Sequence, residues 1–356
     1  GTGRRGRMST RIPVTAAAMA MVAAVCVTPA AALPAQTAPG LRSPGPSTES
    51  VVTRTSLVRI EVLGKQRIRL HIASAAMRRV IAIDTLIGTG PAPRPTLYLL
   101  DGVDGEQTSG WLTKGGAAEF FADKPVDVVL TTGGTGSMYS DWVRSDAALG
   151  LNRWETFLTE ELPPLVETYL GGTGVRAIAG VSMGAQAAMM LTQRHPGMYQ
   201  AVAGMSGCYS TADPLGRAVT TITVASRGGN PENLWGPPSS PEWAAHDSLL
   251  GAEQLRGTAI YLSAATGAPT GVDLTEVARA PDIVAALGEM GGGAALEAGA
   301  RSCTERLAAR LDELGIPATV ELLDAGMHTW PDFRAQLPRT WPTLATALEV
   351  PRTPAR

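Results

Sequence analysis

Charge is in short supply in this sequence: 17% of its 356 residues are charged, and the formal net charge is −2. Such a balance offers no basic surface for a phosphate backbone, so nucleic acid is excluded as an expected partner. Long apolar runs are missing too. The one candidate, Ile12 to Val27, is too short for a comfortable membrane span. Arg4, Arg5, Arg7 and Arg11 precede it, and Ala30-Ala31-Ala32 follows, with Leu33-Pro34-Ala35 as a second cleavage option. It reads as a secretory signal peptide over residues 1–32. The Arg4-Arg5 pair lacks the rest of a twin-arginine pattern, and Val25 before Cys26 is too bulky for a lipoprotein-type cleavage. Cysteine is scarce, with three in all. Once the signal and Cys26 are removed, Cys208 and Cys303 remain in an oxidising compartment, where a pair is expected to be bridged.

What is present is apolar content, at 44%, enough for a sizeable core. Residues 33–50, rich in Pro, Ser, Thr and Ala, read as a disordered leader. No similar stretch follows until the tail at 351–356, and no internal repeat is evident, so residues 51–350 form one expected domain. It opens with alternating segments at Val58–Leu63, Arg67–Ile72 and Arg79–Ile83, which suit antiparallel strands. Buried-strand runs follow at Thr96–Leu100, Val126–Leu130, Val175–Ala179, Ala201–Met205, Ala259–Leu262 and Ala318–Leu323. Helical spacing marks Arg153–Leu170, with a break or kink at Pro163-Pro164, then Ala185–Leu191, Glu297–Leu314 and Trp330–Leu348. The prediction is an α/β fold with a mostly parallel central sheet, an antiparallel start and helices on both faces.

The chemistry gathers at Gly180-Val181-Ser182-Met183-Gly184. A G-x-S-x-G between a strand and a helix is the nucleophile elbow of α/β-hydrolases, where a tight strained turn lifts the serine Oγ clear of the backbone. Ser182 then needs a base, and the base an orienting acid. Of the four histidines, His71 sits mid-strand, His195 ends the elbow helix and suits capping of its last carbonyls, and His246 lies in a polar segment. His328, just beyond the last strand, is where the order Ser…acid…His places the base. Asp273 and Glu276 follow the penultimate strand, where hydrolases usually keep the acid. Glu297 opens a predicted helix, where a carboxylate also serves the helix dipole. Asp273 and Glu297 stay level on these grounds. The oxyanion hole is expected from the backbone N–H groups of Met183 and, after Asp101-Gly102, of Val103.

Several stretches together resemble the antigen 85-type mycolyltransferases. They are Tyr98-Leu99-Leu100-Asp101-Gly102, Gly110-Trp111, Tyr139-Ser140-Asp141-Trp142, Trp154-Glu155-Thr156-Phe157-Leu158-Thr159 with Glu161-Leu162-Pro163, Val181-Ser182-Met183, Met205-Ser206-Gly207, Leu234-Trp235-Gly236-Pro237 with Trp243 and Asp247, Leu296-Glu297 with Arg301, and His328-Thr329-Trp330. The resemblance covers roughly residues 55 to 345. It implies Glu297 as the acid, with Asp273 second. It also implies an exported acyltransferase of the cell envelope that moves a mycoloyl group from trehalose monomycolate to a sugar hydroxyl of trehalose monomycolate or arabinogalactan. Asp101, Ser140 and Trp330 would line the sugar site, and apolar residues between 208 and 300 would border the acyl groove. Trp142 and Trp154 read as core. No metal or cofactor is called for, and a monomer touching the outer lipid layer is expected.

Two departures stand out. The relatives' D-G-L-R-A is replaced by Asp101-Gly102-Val103-Asp104-Gly105, with no arginine before Arg144, and the elbow closes on Gly184 rather than alanine. With Cys208 and Cys303, these point to a corynebacterial or nocardial branch. A secreted carboxylesterase using water is the second reading, and a non-catalytic carbohydrate- or matrix-binding relative the third.

Overall fold

The computed structural model describes residues 52–351. The segment expected as a signal peptide, with Cys26, the expected leader and the tail beyond Pro351 lie outside the described residues. Nine strands form one sheet: β1 (Ser56–Val62), β2 (Arg67–Ser74), β3 (Arg79–Leu86), β4 (Thr96–Leu100), β5 (Asp127–Leu130), β6 (Arg176–Val181), β7 (Ala201–Met205), β8 (Ala259–Ala264) and β9 (Thr319–Leu322). Their order is β1-β2-β3-β5-β4-β6-β7-β8-β9. The first three strands and β5 pair antiparallel, and β5, β4, β6, β7, β8 and β9 run parallel. This is the α/β-hydrolase sheet, with the expected antiparallel start.

The parallel strands are buried on both faces, which explains their continuous apolar runs. In β4, Tyr98 and Leu100 enter a core with Trp154, Phe157 and Met189, whereas Leu97 and Leu99 enter a second core with Trp111, Phe121 and Trp341. Period-two alternation thus serves two layers at once.

The helices that matter most to the site are α1 (Gly110–Thr113), α2 (Leu162–Leu170), α3 (Met183–Arg194), α4 (Gly271–Arg279), α5 (Ile283–Glu313) and α6 (Trp330–Leu348). Pro163 and Pro164 do not break the chain's helical course. A π-helical turn, Phe157–Glu161, precedes α2 and absorbs the prolines' missing N–H groups, with Leu162 N–H bonding to Phe157 O. The largest departure from expectation is α5. The Gly/Ala-rich stretch before Glu297 is already helical, so one 31-residue helix replaces a loop followed by a short helix. Asp282 caps its start by accepting from Ala285 N–H.

Candidate active site

The loops leaving the carboxyl ends of β4, β6, β7, β8 and β9 converge above the middle of the sheet, where open α/β sheets place ligands. They carry Asp101, Ser182, Ser206, Ala265 and His328 respectively.

Ser182 lies in the left-handed region, at φ 57° and ψ −119°, which costs a non-glycine residue on the order of 1–3 kcal/mol. The flanking glycines make the turn sterically feasible. A Cβ on Gly180 would sit 2.2 Å from Gly184 O, and one on Gly184 would sit 2.3 Å from Asp101 O. Here the closing glycine is therefore required by the close approach of the β4 loop. From this turn Ser182 Oγ lies 2.6 Å from His328 Nε2, and His328 Nδ1 lies 2.9 Å from Glu297 Oε2. The carboxylate can only accept, so Nδ1 carries the proton and the Nε2 lone pair faces the serine hydroxyl.

Glu297 is fully buried and uses both oxygens. Its Oε1 accepts from Ser206 Oγ and from Ala265 N–H, each at 2.7 Å. Ser206 is itself held at φ 55° and accepts from Gln336 Nε2 at 3.1 Å, while Gln336 Oε1 accepts from Ser263 Oγ at 2.6 Å. The acid is thus clamped by β7, β8 and α6 together. Arg301, one turn further along α5, donates to Leu323 O just past β9 and ties the acid's helix to the histidine's loop. Ser206 and Gln336 carry this framework without any residue pattern that names their role. Met205-Ser206-Gly207 was legible as a shared stretch, but not as the clamp on Glu297.

The two acid candidates exchange their expected settings. Glu297 sits about four turns inside α5, not in a first turn. Asp273 is the first-turn carboxylate, closing a capping box with Thr270 at the start of α4. It is 4% exposed and contacts Thr329 Oγ1 at 3.2 Å, next to the histidine, whose ring nitrogens meet Glu297 and Ser182 instead. Cys208, in the loop after β7, is bridged to Cys303 of α5, so a covalent brace stands two turns beyond Glu297.

A cleft of about 220 Å³ opens over Ser182 and His328, lined among others by Asp101, Val103, Glu106 and Trp330. Trp330 is half-buried and packs edge-on against Trp111 at 5.2 Å between centroids. The Asp101 carboxylate does not face the cleft freely. It accepts from Ser109 Oγ and from Gly110 N–H at 2.8 Å, capping α1, and burial pushes its pKa from 3.8 up to about 7. Ser140 is corrected outright as a lining residue. It is fully buried and its Oγ accepts from Trp235 Nε1 at 2.8 Å, away from the cleft. His195 is the C-cap residue of α3, its backbone N–H bonding Leu191 O at 3.0 Å, while its ring pairs with Glu155 at 2.7 Å. Arg227 reaches across to pair with Asp104, one of the residues lining the cleft. Trp142 and Trp154 are core, as expected.

A mixed α/β-hydrolase sheet carrying a strained serine, a histidine and a buried glutamate in hydrogen-bonded series defines the class: a serine-hydrolase-type fold. The sequence pattern of the esterase family matches residues 85–344, and the chain belongs to that family. It is 32% identical over 210 residues to the diacylglycerol acyltransferase/mycolyltransferase Ag85A of Mycobacterium tuberculosis, covering 56% of this chain and 61% of the relative. Against the Ag85B of Mycobacterium avium it is 30% identical, covering 56% and 63%. The chain thus spans somewhat under two thirds of the length of these curated relatives. Among solved structures, Mycobacterium tuberculosis MPT51 (FbpC1) superposes with a TM-score of 0.67 at 24% identity, over 80% of this chain and all of that one. An S-formylglutathione hydrolase from Agrobacterium tumefaciens gives 0.60 at 14% identity, over 82% and 99%. These superpositions speak for the fold.

Proposed function

We propose that this protein is an exported serine acyltransferase that moves a mycoloyl group from trehalose monomycolate to a sugar hydroxyl through an acyl-enzyme. The observation that carries the reading is the Ser182–His328–Glu297 series opening onto a cleft rimmed by Trp330. The similarity to the Ag85 enzymes supplies the substrate class. Ser182 Oγ attacks the ester carbonyl while its proton passes to His328 Nε2. The oxyanion is met by the N–H groups of Met183, at the start of α3, and Val103. As the tetrahedral species collapses, the imidazolium returns the proton to the departing trehalose oxygen, leaving the acyl group on Ser182. An acceptor hydroxyl then enters, gives its proton to His328 and attacks the acyl carbonyl, and Ser182 is regenerated. Glu297 orients the imidazole and offsets its transient charge. Trp330 and the rim beside Asp104 and Arg227 would contact the sugar, whereas Asp101 shapes the loop from beneath.

The esterase family match supports a second reading, in which water replaces the sugar as acceptor. Both are tested by incubating mature protein with trehalose monomycolate beside a Ser182→Ala control, with products resolved by thin-layer chromatography and mass spectrometry. Trehalose dimycolate or another mycoloyl sugar is the expected product. Free mycolic acid alone would make the protein a hydrolase, and absence of any Ser182-dependent product would remove both readings.

A further inference from the structure

At the residues flanking His328, Met327 and Thr329, two carboxyl groups meet in the interior. Asp273 of α4 is 4% exposed and Asp332 of α6 is 6% exposed. Two threonine hydroxyls stand between them. Thr270 Oγ1 lies 2.9 Å from Asp273 Oδ2 and 3.4 Å from Asp332 Oδ1; Thr329 Oγ1 lies 3.2 Å from Asp273 Oδ1 and 2.9 Å from Asp332 Oδ2. A hydroxyl has one proton to donate. Two hydroxyls therefore fill two of these four contacts, and the others set oxygen lone pairs against each other. One further proton, held on a carboxyl oxygen and donated to a threonine, fills a third contact and leaves only the longest, Thr270 Oγ1 to Asp332 Oδ1 at 3.4 Å, without a donor.

The surroundings favour that proton. On α4, Glu276 and Arg279 line the cavity outside Asp273, joined by Glu289 of α5, while Glu297 and His328 occupy the far side of the loop. Among the described residues no arginine, lysine or histidine forms an ion pair with either aspartate. Two like charges in one buried site disfavour double ionisation. In agreement, burial first and Asp273 second push the Asp332 pKa from 3.8 up to about 6.

The same groups hold the base's loop. Asp332 Oδ2 accepts from Met327 N–H at 2.8 Å and contacts Thr329 Oγ1, the residues immediately before and after His328. Thr329 is the N-cap residue of α6 but makes no capping bond with its side chain, which turns to the carboxyls instead. His328 N–H donates to Gly293 O of α5 at 3.1 Å, completing a three-point hold on the loop.

We propose that Asp273 and Asp332 form a proton-sharing carboxyl pair that seats His328 between Glu297 and Ser182, acting as positioning residues for the base. The inference rests on the reading of His328 as that base. With the shared proton in place, the loop is fixed and the imidazole meets Ser182. When rising pH removes the proton, two uncompensated charges face each other behind the loop and the imidazole loses register. The pH profile of kcat then has an alkaline limb owed to the pair, besides the acid limb from protonation of the base.

The test uses infrared titration of the resting protein, with kcat and KM measured on a soluble p-nitrophenyl ester. The expected wild-type spectrum keeps a protonated-carboxyl band above the ordinary carboxylate range. Part of that band disappears in Asp273→Asn and in Asp332→Asn, while the part from buried Asp101 stays. Asp332→Ala should lower kcat at least tenfold with KM nearly unchanged. Asp332→Asn, whose amide supplies the missing donor permanently, should keep most of kcat and lose the alkaline limb. A spectrum identical in wild type and both Asn variants would overturn the proposal. So would an Asp332→Ala enzyme with the wild-type kcat and profile, or an alkaline limb retained in Asp332→Asn. Failure of the base assignment itself shows separately, as ester turnover that survives in His328→Ala, and the infrared reading of the pair stands apart from turnover.

Discussion

At the scale of single residues, the choice between Asp273 and Glu297 shows why proximity in a motif is weaker than direction in space. Both flank the histidine loop, yet only Glu297 accepts from the imidazole. Its other oxygen is spoken for by Ser206 and Ala265, so the carboxylate cannot rotate away. Replacing it by an amide should leave the packing intact but favour the wrong imidazole tautomer. We expect Glu297→Gln to lower kcat by as much as roughly 10⁴-fold, as amide replacement does at such a position. Asp273→Asn, mimicking the protonated pair, should cost little. Steady-state kinetics on a p-nitrophenyl ester checks both. Collapse in Asp273→Asn with full activity in Glu297→Gln would invert the assignment.

At the scale of elements, α5 is the part whose placement was least legible. Its amino-terminal half is rich in Gly and Ala, composition that reads as loop, and Ile283, Val284 and Leu287 there are exposed rather than packed. The inward face begins where Glu297, Ala300, Cys303, Thr304 and Leu307 line up, and these residues dock the helix. The bridge from Cys208 to Cys303 spans 95 residues of chain and fastens that docked half to the loop after β7. Replacing both cysteines by serine should destabilise the fold by about 2–4 kcal/mol, read as a lower denaturant midpoint. It should also reduce kcat, because Glu297 rides on the same helix. Unchanged kcat at full folding would show that docking alone aligns the acid.

For the whole molecule, the buried carboxyls predict how stability depends on pH. Burial pushes Glu155 up, but bonds from His195, His246 and Arg194 outweigh it and hold its pKa well below the usual carboxylate range. That contribution is present above about pH 4.5 and is lost as pH falls. Asp101 has the opposite sign. Its raised pKa, about 7 against 3.8, contributes stability that is full below about pH 4 and is lost as pH rises through 7. Thermal unfolding should therefore be most resistant in the weakly acidic range. Asp101→Asn should flatten the decline between pH 4 and 7 while leaving the acid side unchanged. A decline of the same slope in the variant would assign it elsewhere.

Local chemistry was enough to read the sheet and the elbow and to single out the histidine that meets Ser182. Period-two and continuous apolar runs have few alternative uses, a serine between two glycines after a strand fits few turns, and only one histidine follows the last strand. The sequence by itself therefore determined the fold class and located Ser182 and His328. It did not separate Asp273 from Glu297 without the resemblance, because a carboxylate's role depends on where its helix points. Only the tertiary structure decided that Glu297 faces inward while Asp273 caps α4, that Ser140 is core, that Arg227 comes round to Asp104, and that Asp332 meets Asp273. Each of these depends on residues far apart in the chain, brought together by the packing of helices over the sheet, and no local pattern encodes such a meeting.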